Sequence, residues 1–372
     1  MNVPFLDLAA QHAEIADEVR QGLEEVFERT AFVSGPQVTA FEEEYAAFIG
    51  VSDCVGVANG TDALELALRA VGVRPGGEVI LPANTFIATA EAVSAIGAVP
   101  VPVDVRDLDL LIDPAAVERA ITERTQAIVP VHLFGQTAPI EELAPLARAV
   151  GVPIVEDAAQ AQGARRHGRS AGSLGTVAAT SFYPGKNLGA AGDAGAVLTD
   201  DPRLAVRVRV LAAHGSPTKY VHDVVGRNSR LDTLQAVYLR AKLGRLEKWN
   251  ELRRQVADRY AQLLADVPGV LAPHTIPVNE DVWHLYVVRL RDRDRVAAAL
   301  GDAGIGTGVH YPTPVHLTGA YAHLGLGPGT CPVAERAAGE ILSLPMHPHL
   351  RAEEQEHVVD QLRRIVTDGD LR

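Results

Sequence analysis

Lys186 stands in SFYPGKNLGAAGDAGAV (residues 181–197), among glycines, small residues and an aromatic. A strongly hydrated ammonium in that setting has two readings. It is a solvated charge on the turn that Pro184-Gly185 signals, or an amine held for Schiff-base chemistry. Asp157 closes the apolar run in Val155-Glu156-Asp157-Ala158-Ala159-Gln160. It either caps the next helix or meets a cation, because a buried carboxylate without a partner is costly. Asn59-Gly60-Thr61-Asp62 lies between a strand pattern and a helix pattern. Gly60 tolerates unusual backbone angles, and Thr61 offers a hydroxyl and an N–H where a helix N-terminus favours an anion. An ordinary helix cap uses the same residue types. Phe86, after another strand pattern, either stacks on a planar ring or fills the core. Pyridoxal phosphate (PLP) is the ligand that makes these features cooperate. Asp157 would hold the pyridinium nitrogen, Lys186 would form the imine, and Thr61 and Ser181 would bind the phosphate.

Other chemistries find less support. His347 and His349 are two apart, and His310, His316 and His323 are scattered, so no zinc-binding spacing is present and no metal is expected. There is no G-x-G-x-x-G and no Walker pattern.

The elements that must position these residues follow from hydropathy. Short β-branched runs at 54–58, 78–83, 99–105, 126–135, 152–158, 177–183 and 194–200 alternate with helical patterns such as 61–72 and 139–151. Nearly continuous apolar strands between helices predict a mostly parallel, doubly wound α/β sheet, with ligands beyond the carboxyl ends of its strands. Asp157 and Lys186 then emerge on one rim. After residue 232 a long amphipathic helix leads to an alternating strand at 282–291, then helix, strand and a final helix near 352–366. The predicted division is residues 1–240, an N-terminal segment and large PLP-binding domain, and residues 241–372, the connecting helix and a small α+β domain.

The chain has 372 residues and a net charge of −13, which argues against an extended anionic polymer as partner. Cys54 and Cys331 are the only cysteines, too few for a disulfide framework. The acidic, interrupted N-terminus lacks the pattern of a signal peptide, and no apolar stretch is long enough to span a bilayer; a cytoplasmic protein is expected.

Asn59-Gly60-Thr61, PANTFIATA, EDAAQ, SFYPGKNLG and GRNSRLDTLQA occur in one order along the chain. Together they resemble the DegT/DnrJ/EryC1/StrS family of PLP-dependent nucleotide-sugar aminotransferases, of fold type I (aspartate aminotransferase-like). The resemblance runs from PFLDL near the start to LPMHPHL near the end. It implies Lys186 as the Schiff-base lysine, Asp157 as the pyridinium partner, Gln160 near the cofactor's phenolic oxygen and Phe86 stacked on the ring. It implies Gly60, Thr61 and Ser181 around the phosphate, joined by Asn228 from a neighbouring subunit, and therefore a homodimer with shared sites. The form FYPGKNLG is similar to the 3-aminotransferases of dTDP-3-keto-6-deoxyhexoses, the enzymes behind amino sugars of antibiotics. That likeness places Tyr183, His310 and Tyr311 at the hexose, and the partner's Lys219 and Tyr220 near the nucleotide diphosphate. L-Glutamate is the implied amino donor. Amination at C-4 of a 4-keto sugar is the nearer alternative, and a catalytically idle sensor of the same fold the more distant one.

Overall fold

The computed structural model describes residues 1–369. Seven strands build the central sheet: β1 (Asp53–Val57), β2 (Glu78–Pro82), β3 (Val99–Val103), β4 (Thr125–Ile128), β5 (Val155–Asp157), β6 (Val177–Ser181) and β7 (Gly195–Thr199). β3-β2-β4 pair in parallel, as do β5 and β6. Parallel bridges Ile128–Ile154 and Val131–Asp157 join β4 to β5. The continuous order is therefore β1-β7-β6-β5-β4-β2-β3.

β7 alone is antiparallel to both neighbours. A parallel return needs a crossover, usually a helix, whereas β6 and β7 are joined only by the loop 182–194. That loop leaves the carboxyl end of β6, carries Lys186, and folds straight back. The apolar run expected at 126–135 forms a strand only through Ile128. Pro130 lacks an N–H for the ladder, although its carbonyl still accepts from Asp157 N at 2.9 Å. Residues 133–135 then close into a 3-10 turn.

The helices obey local chemistry. Asn59 caps Gly60–Ala70, its Oδ1 accepting the N–H of Asp62 at 2.8 Å. Helix Ile140–Val150 stops at Gly151, whose φ of 71° suits a residue without a Cβ. Helix Gly60–Ala70 is apolar on most sides because it lies under β6 and β7, burying Leu64, Leu66 and Leu68. Each such leucine contributes about 1.5–3 kcal/mol of hydrophobic stabilisation.

A 32-residue helix, Thr233–Leu264, is continuous across the predicted boundary at 240. Beyond it, β8 (Val270–Leu271), β9 (Tyr286–Leu290) and β10 (Ile341–Leu344) form a small antiparallel sheet against helices Arg293–Asp302 and Ala352–Gly369. The extreme N-terminus belongs with this unit: Val3 bridges Ile305 and is buried in its core. Three helices, Leu8–Ala13, Ala16–Arg29 and Pro36–Ile49, precede β1.

Candidate functional site

A pocket of about 660 Å³ opens at the carboxyl ends of β5 and β6. Among the predicted residues, Gly60, Thr61, Phe86, Asp157, Gln160, Ser181, Tyr183, Lys186, His310 and Tyr311 all line it. A larger groove, about 900 Å³, lies between the N-terminal helices and Thr233–Leu264. It contains no comparable chemical set.

Asp157 forms the floor. Its Oδ2 accepts the Thr89 hydroxyl at 2.8 Å, and its Oδ1 accepts the N–H of Ala159 at 3.1 Å. Burial raises its pKa, opposed by those two donors, Lys186 and His132. A carboxylate so placed is stabilised by any further cation that reaches it. Its neighbour Glu156 points to the opposite face, as alternation along a strand requires. There it accepts the N–H groups of Gly172 at 2.7 Å, Leu174 at 2.7 Å and Gly175 at 2.6 Å. Its fourth partner is His132 Nε2, at 2.7 Å. Because Ala138 N–H donates to His132 Nδ1, the imidazole carries its proton on Nε2 and gives it to Glu156. Glu156 is thus a fastener beneath the sheet and stands outside the pocket.

Lys186 is aimed by its turn. Its N–H donates to Tyr183 C=O at 2.8 Å, closing a four-residue turn with Pro184 and Gly185 at the centre. The turn exists, and the lysine on it faces the pocket. Burial lowers the Lys186 pKa to about 8, with Asp157 opposing. About a tenth of the amine is then neutral at pH 7.

At the other end of the pocket, helix Gly60–Ala70 begins. Asn59 uses Oδ1 on Asp62 and its carbonyl on Ala63, which leaves the N–H groups of Gly60 and Thr61 for a ligand. A Cβ on Gly60 would sit 2.5 Å from Ser181 Cβ, so only glycine permits this approach of helix to strand end. The Ser181 hydroxyl stands beside these amides. Phe86 is 52% exposed, on the pocket wall and not in the core, with its ring centroid 5.4 Å from that of Tyr311. Gln160 accepts Phe134 N–H at 2.8 Å and donates Nε2 to Tyr311 Oη at 3.0 Å. His310 Nδ1 meets Ser343 Oγ at 2.8 Å, and burial, then the Lys186 charge, brings its pKa to about 4.

These residues fit PLP on their own chemistry. An anion-binding helix end, an exposed flat aromatic, a buried carboxylate and a depressed lysine amine share one cavity.

Asn228, Lys219 and Tyr220 do not line the pocket of their own chain. They occupy the segment 214–228, where Tyr220 is 82% and Val225 85% exposed, and Lys219 Nζ lies 5.1 Å from the Tyr220 ring centroid. Thr89, His284 and Asp193 were not foreseen among the site residues. Thr89 is the second residue of helix Ala88–Ala95, three after Phe86. A lone histidine in VWHLYVVR carries no local signal. Among the described residues no cluster of three or more metal-ligating side chains occurs, and no helix is long and apolar enough to cross a membrane.

Comparison with known proteins places this site in context. Residues 13–363 match the DegT/DnrJ/EryC1/StrS aminotransferase family. The chain is 52% identical to the erythromycin biosynthesis sensory transduction protein EryC1 of Saccharopolyspora erythraea, covering 98% of this chain and 99% of that one. It is 48% identical to the dTDP-3-amino-3,4,6-trideoxy-alpha-D-glucose transaminase of Streptomyces venezuelae, covering 97% and 95% respectively. A crystal structure of S. venezuelae DesV in complex with a ketimine intermediate superimposes with a TM-score of 0.95 at 48% identity, covering 98% of each chain.

Proposed function

This chain belongs to the DegT/DnrJ/EryC1/StrS aminotransferase family and is a PLP-dependent nucleotide-sugar aminotransferase; on that premise we propose that it aminates C-3 of a dTDP-linked 3-keto-6-deoxyhexose, taking nitrogen from L-glutamate. The observation that carries this reading is the joining of Lys186, Asp157 and the Gly60–Thr61 helix end in one pocket, in a chain 48% identical to a dTDP-3-amino sugar transaminase.

PLP, when bound, supplies an electrophilic carbon for the amine and an electron sink for the carbanion that follows proton loss. The chain's own residues do the rest. Gly60, Thr61 and Ser181 bind the phosphate through N–H and hydroxyl groups. Phe86 covers the ring face, and Gln160 contacts the phenolic oxygen. Asp157 remains ionised against the ring nitrogen, held by Thr89 and Ala159. Lys186 removes a proton from the donor's Cα, carries it, and returns one during amination of the sugar. A pKa near 8 suits both directions, since an amine of ordinary basicity would stay charged at neutral pH.

Substrate binding needs more positive charge than one protomer supplies. Among the described residues Lys186 is the only lysine or arginine lining the pocket, and burial holds His284 and His310 neutral. A nucleotide diphosphate must find its cations elsewhere. The exposed segment 214–228, with Lys219, Tyr220 and Asn228, supplies that role from the partner subunit of a homodimer, Asn228 at the cofactor phosphate and Lys219 at the diphosphate. Tyr183, His310 and Tyr311 face the hexose.

The test is amination of separate 3-keto and 4-keto dTDP-sugars with glutamate, and of a UDP-linked 3-keto sugar in parallel, with the product carbon identified by NMR. Nitrogen on C-3 of the dTDP sugar supports the proposal. Nitrogen on C-4, or exclusive use of the UDP sugar, overturns it.

A further inference from the structure

Behind the Lys186 turn runs a buried chain of amides that reaches the pocket at His284. Asn187, the residue after Lys186, donates Nδ2 to Val282 C=O and to Asn250 Oδ1, both at 2.8 Å. Asn250, on helix Thr233–Leu264, donates Nδ2 to Gln162 C=O at 2.9 Å. The Gln162 side chain donates in turn to Ser181 C=O at 2.8 Å and to Thr180 Oγ1 at 3.0 Å. One network thus links the strand end that carries Ser181, the lysine turn, the connecting helix and the entrance to β9.

The polarity of this chain has a chemical consequence. Val282 C=O can only accept, so the Asn187 amide nitrogen must face it and Oδ1 must face His284. His284 Nδ1 lies 3.3 Å from that oxygen. It must therefore be the donor, because an amide oxygen has no proton to give. The other ring nitrogen, Nε2, has no protein partner among the described residues, and His284 lines the same pocket as Lys186. The backbone serves this placement. Trp283, immediately before, holds φ at 47°, a left-handed value rare for a bulky residue. Gly135, at φ 100°, lets the chain approach so closely that a Cβ there would lie 2.7 Å from His284 N.

We infer that His284 is a positioning residue for Lys186: Asn187 fixes its ring with the proton on Nδ1, so that Nε2 stands unprotonated in the pocket as an acceptor open to the lysine ammonium once the nitrogen in transit resides on the cofactor. The amine is free for half of each catalytic cycle, when the nitrogen in transit resides on the cofactor, and it must then stay pointed at the reacting carbon. The charged and titratable groups around the pair agree with a neutral imidazole. Asp157 and His310 face Lys186 across the pocket, while Arg253 and Lys186 both oppose charge on His284.

The inference rests on Lys186 being the amine that meets the cofactor. Two measurements on the pyridoxamine-phosphate form of the full-length enzyme test it. The first is long-range 1H–15N NMR on 15N-histidine-labelled protein, with His284 assigned by its loss in His284→Gln. His284 is expected as the Nδ1–H tautomer, uncharged from about pH 6 to 8. The second is the pH dependence of trinitrophenylation at Lys186, read by peptide mass spectrometry. In His284→Leu the midpoint is expected to fall by about one pH unit, the ammonium having lost its acceptor. His284→Gln, whose amide oxygen can accept, restores most of that shift. A wild-type Nε2–H tautomer, or an unmoved midpoint in His284→Leu, overturns the inference. The tautomer is read on the wild type and needs no variant to fold. Trapping of the cofactor on Lys186 tests the premise separately.

Discussion

Replacing Asp157 by asparagine separates what this carboxylate does for catalysis from what it does to the fold. Asparagine fits the same hydrogen bonds. Its Oδ1 accepts from Ala159 N–H, and its amide donates to the Thr89 hydroxyl, which can turn its own proton toward Thr85 Oγ1 at 2.9 Å. The sign of the stability change follows from the direction of the shift. Burial raises the carboxyl pKa in the folded, cofactor-free protein. The folded state thus holds its proton more tightly than the unfolded chain, and this contribution is full below the unfolded pKa and declines as pH rises through the folded one. At neutral pH the ionised, buried carboxylate is destabilising, by about 1.4 kcal/mol for each unit of elevation. Apo Asp157→Asn is therefore expected to unfold at a higher temperature than apo wild type at pH 7, with the difference vanishing toward about pH 4. With cofactor bound the order reverses, because the charged partner of the ring nitrogen is gone. Losing one charge-assisted bond of about 1.5–3 kcal/mol lowers turnover by roughly 10- to 100-fold. Scanning calorimetry of both proteins, with and without PLP across pH, supplies the first quantity, and a glutamate half-reaction assay the second. An apo variant less stable than wild type at pH 7, or one with undiminished turnover, refutes the reasoning.

Two further substitutions probe the scaffold. Gly60→Ala drives a methyl against Ser181 Cβ at 2.5 Å, and is expected to loosen cofactor retention at least 10-fold while leaving Lys186 in place; equilibrium dialysis of PLP checks it. Glu156→Gln leaves at least one of four buried N–H partners unmatched, and should cost about 3–5 kcal/mol of unfolding free energy by urea titration. Asn228→Ala tests the shared site: its own protomer keeps an intact pocket, so mixed dimers with Lys186→Ala should recover one working site, read as restored turnover on mixing two inactive homodimers.

Much of the pocket is legible in the sequence because strand ends in a doubly wound sheet converge. Asp157 ends one apolar run, Ser181 and Lys186 follow another, and two such parallel neighbours deliver their ends to one rim. Gly60 and Thr61 are legible for a similar reason, since a strand-to-helix junction places amides there. Glu156 shows what periodicity adds when it is used: adjacent to Asp157, it must face the other way. The direction of β7 was less accessible, because its apolar run looks the same whichever way it travels; only the short loop before it betrays a hairpin. The role of Thr89 depends on a hydroxyl reaching Asp157 across 68 residues of chain, and that of His284 on an amide network spanning two structural units. Neither pairing leaves a local pattern. Both arise from packing, and packing is where hydropathy reading ends.

Every other assignment in the pocket depends on Lys186 being the amine that meets PLP. Reduction of the yellow holoenzyme with borohydride, followed by proteolysis and mass spectrometry, tests this directly. A phosphopyridoxyl group on the peptide containing Lys186 is the predicted result. The same mass on another lysine, or protein that stays colourless and unlabelled with PLP present, contradicts it.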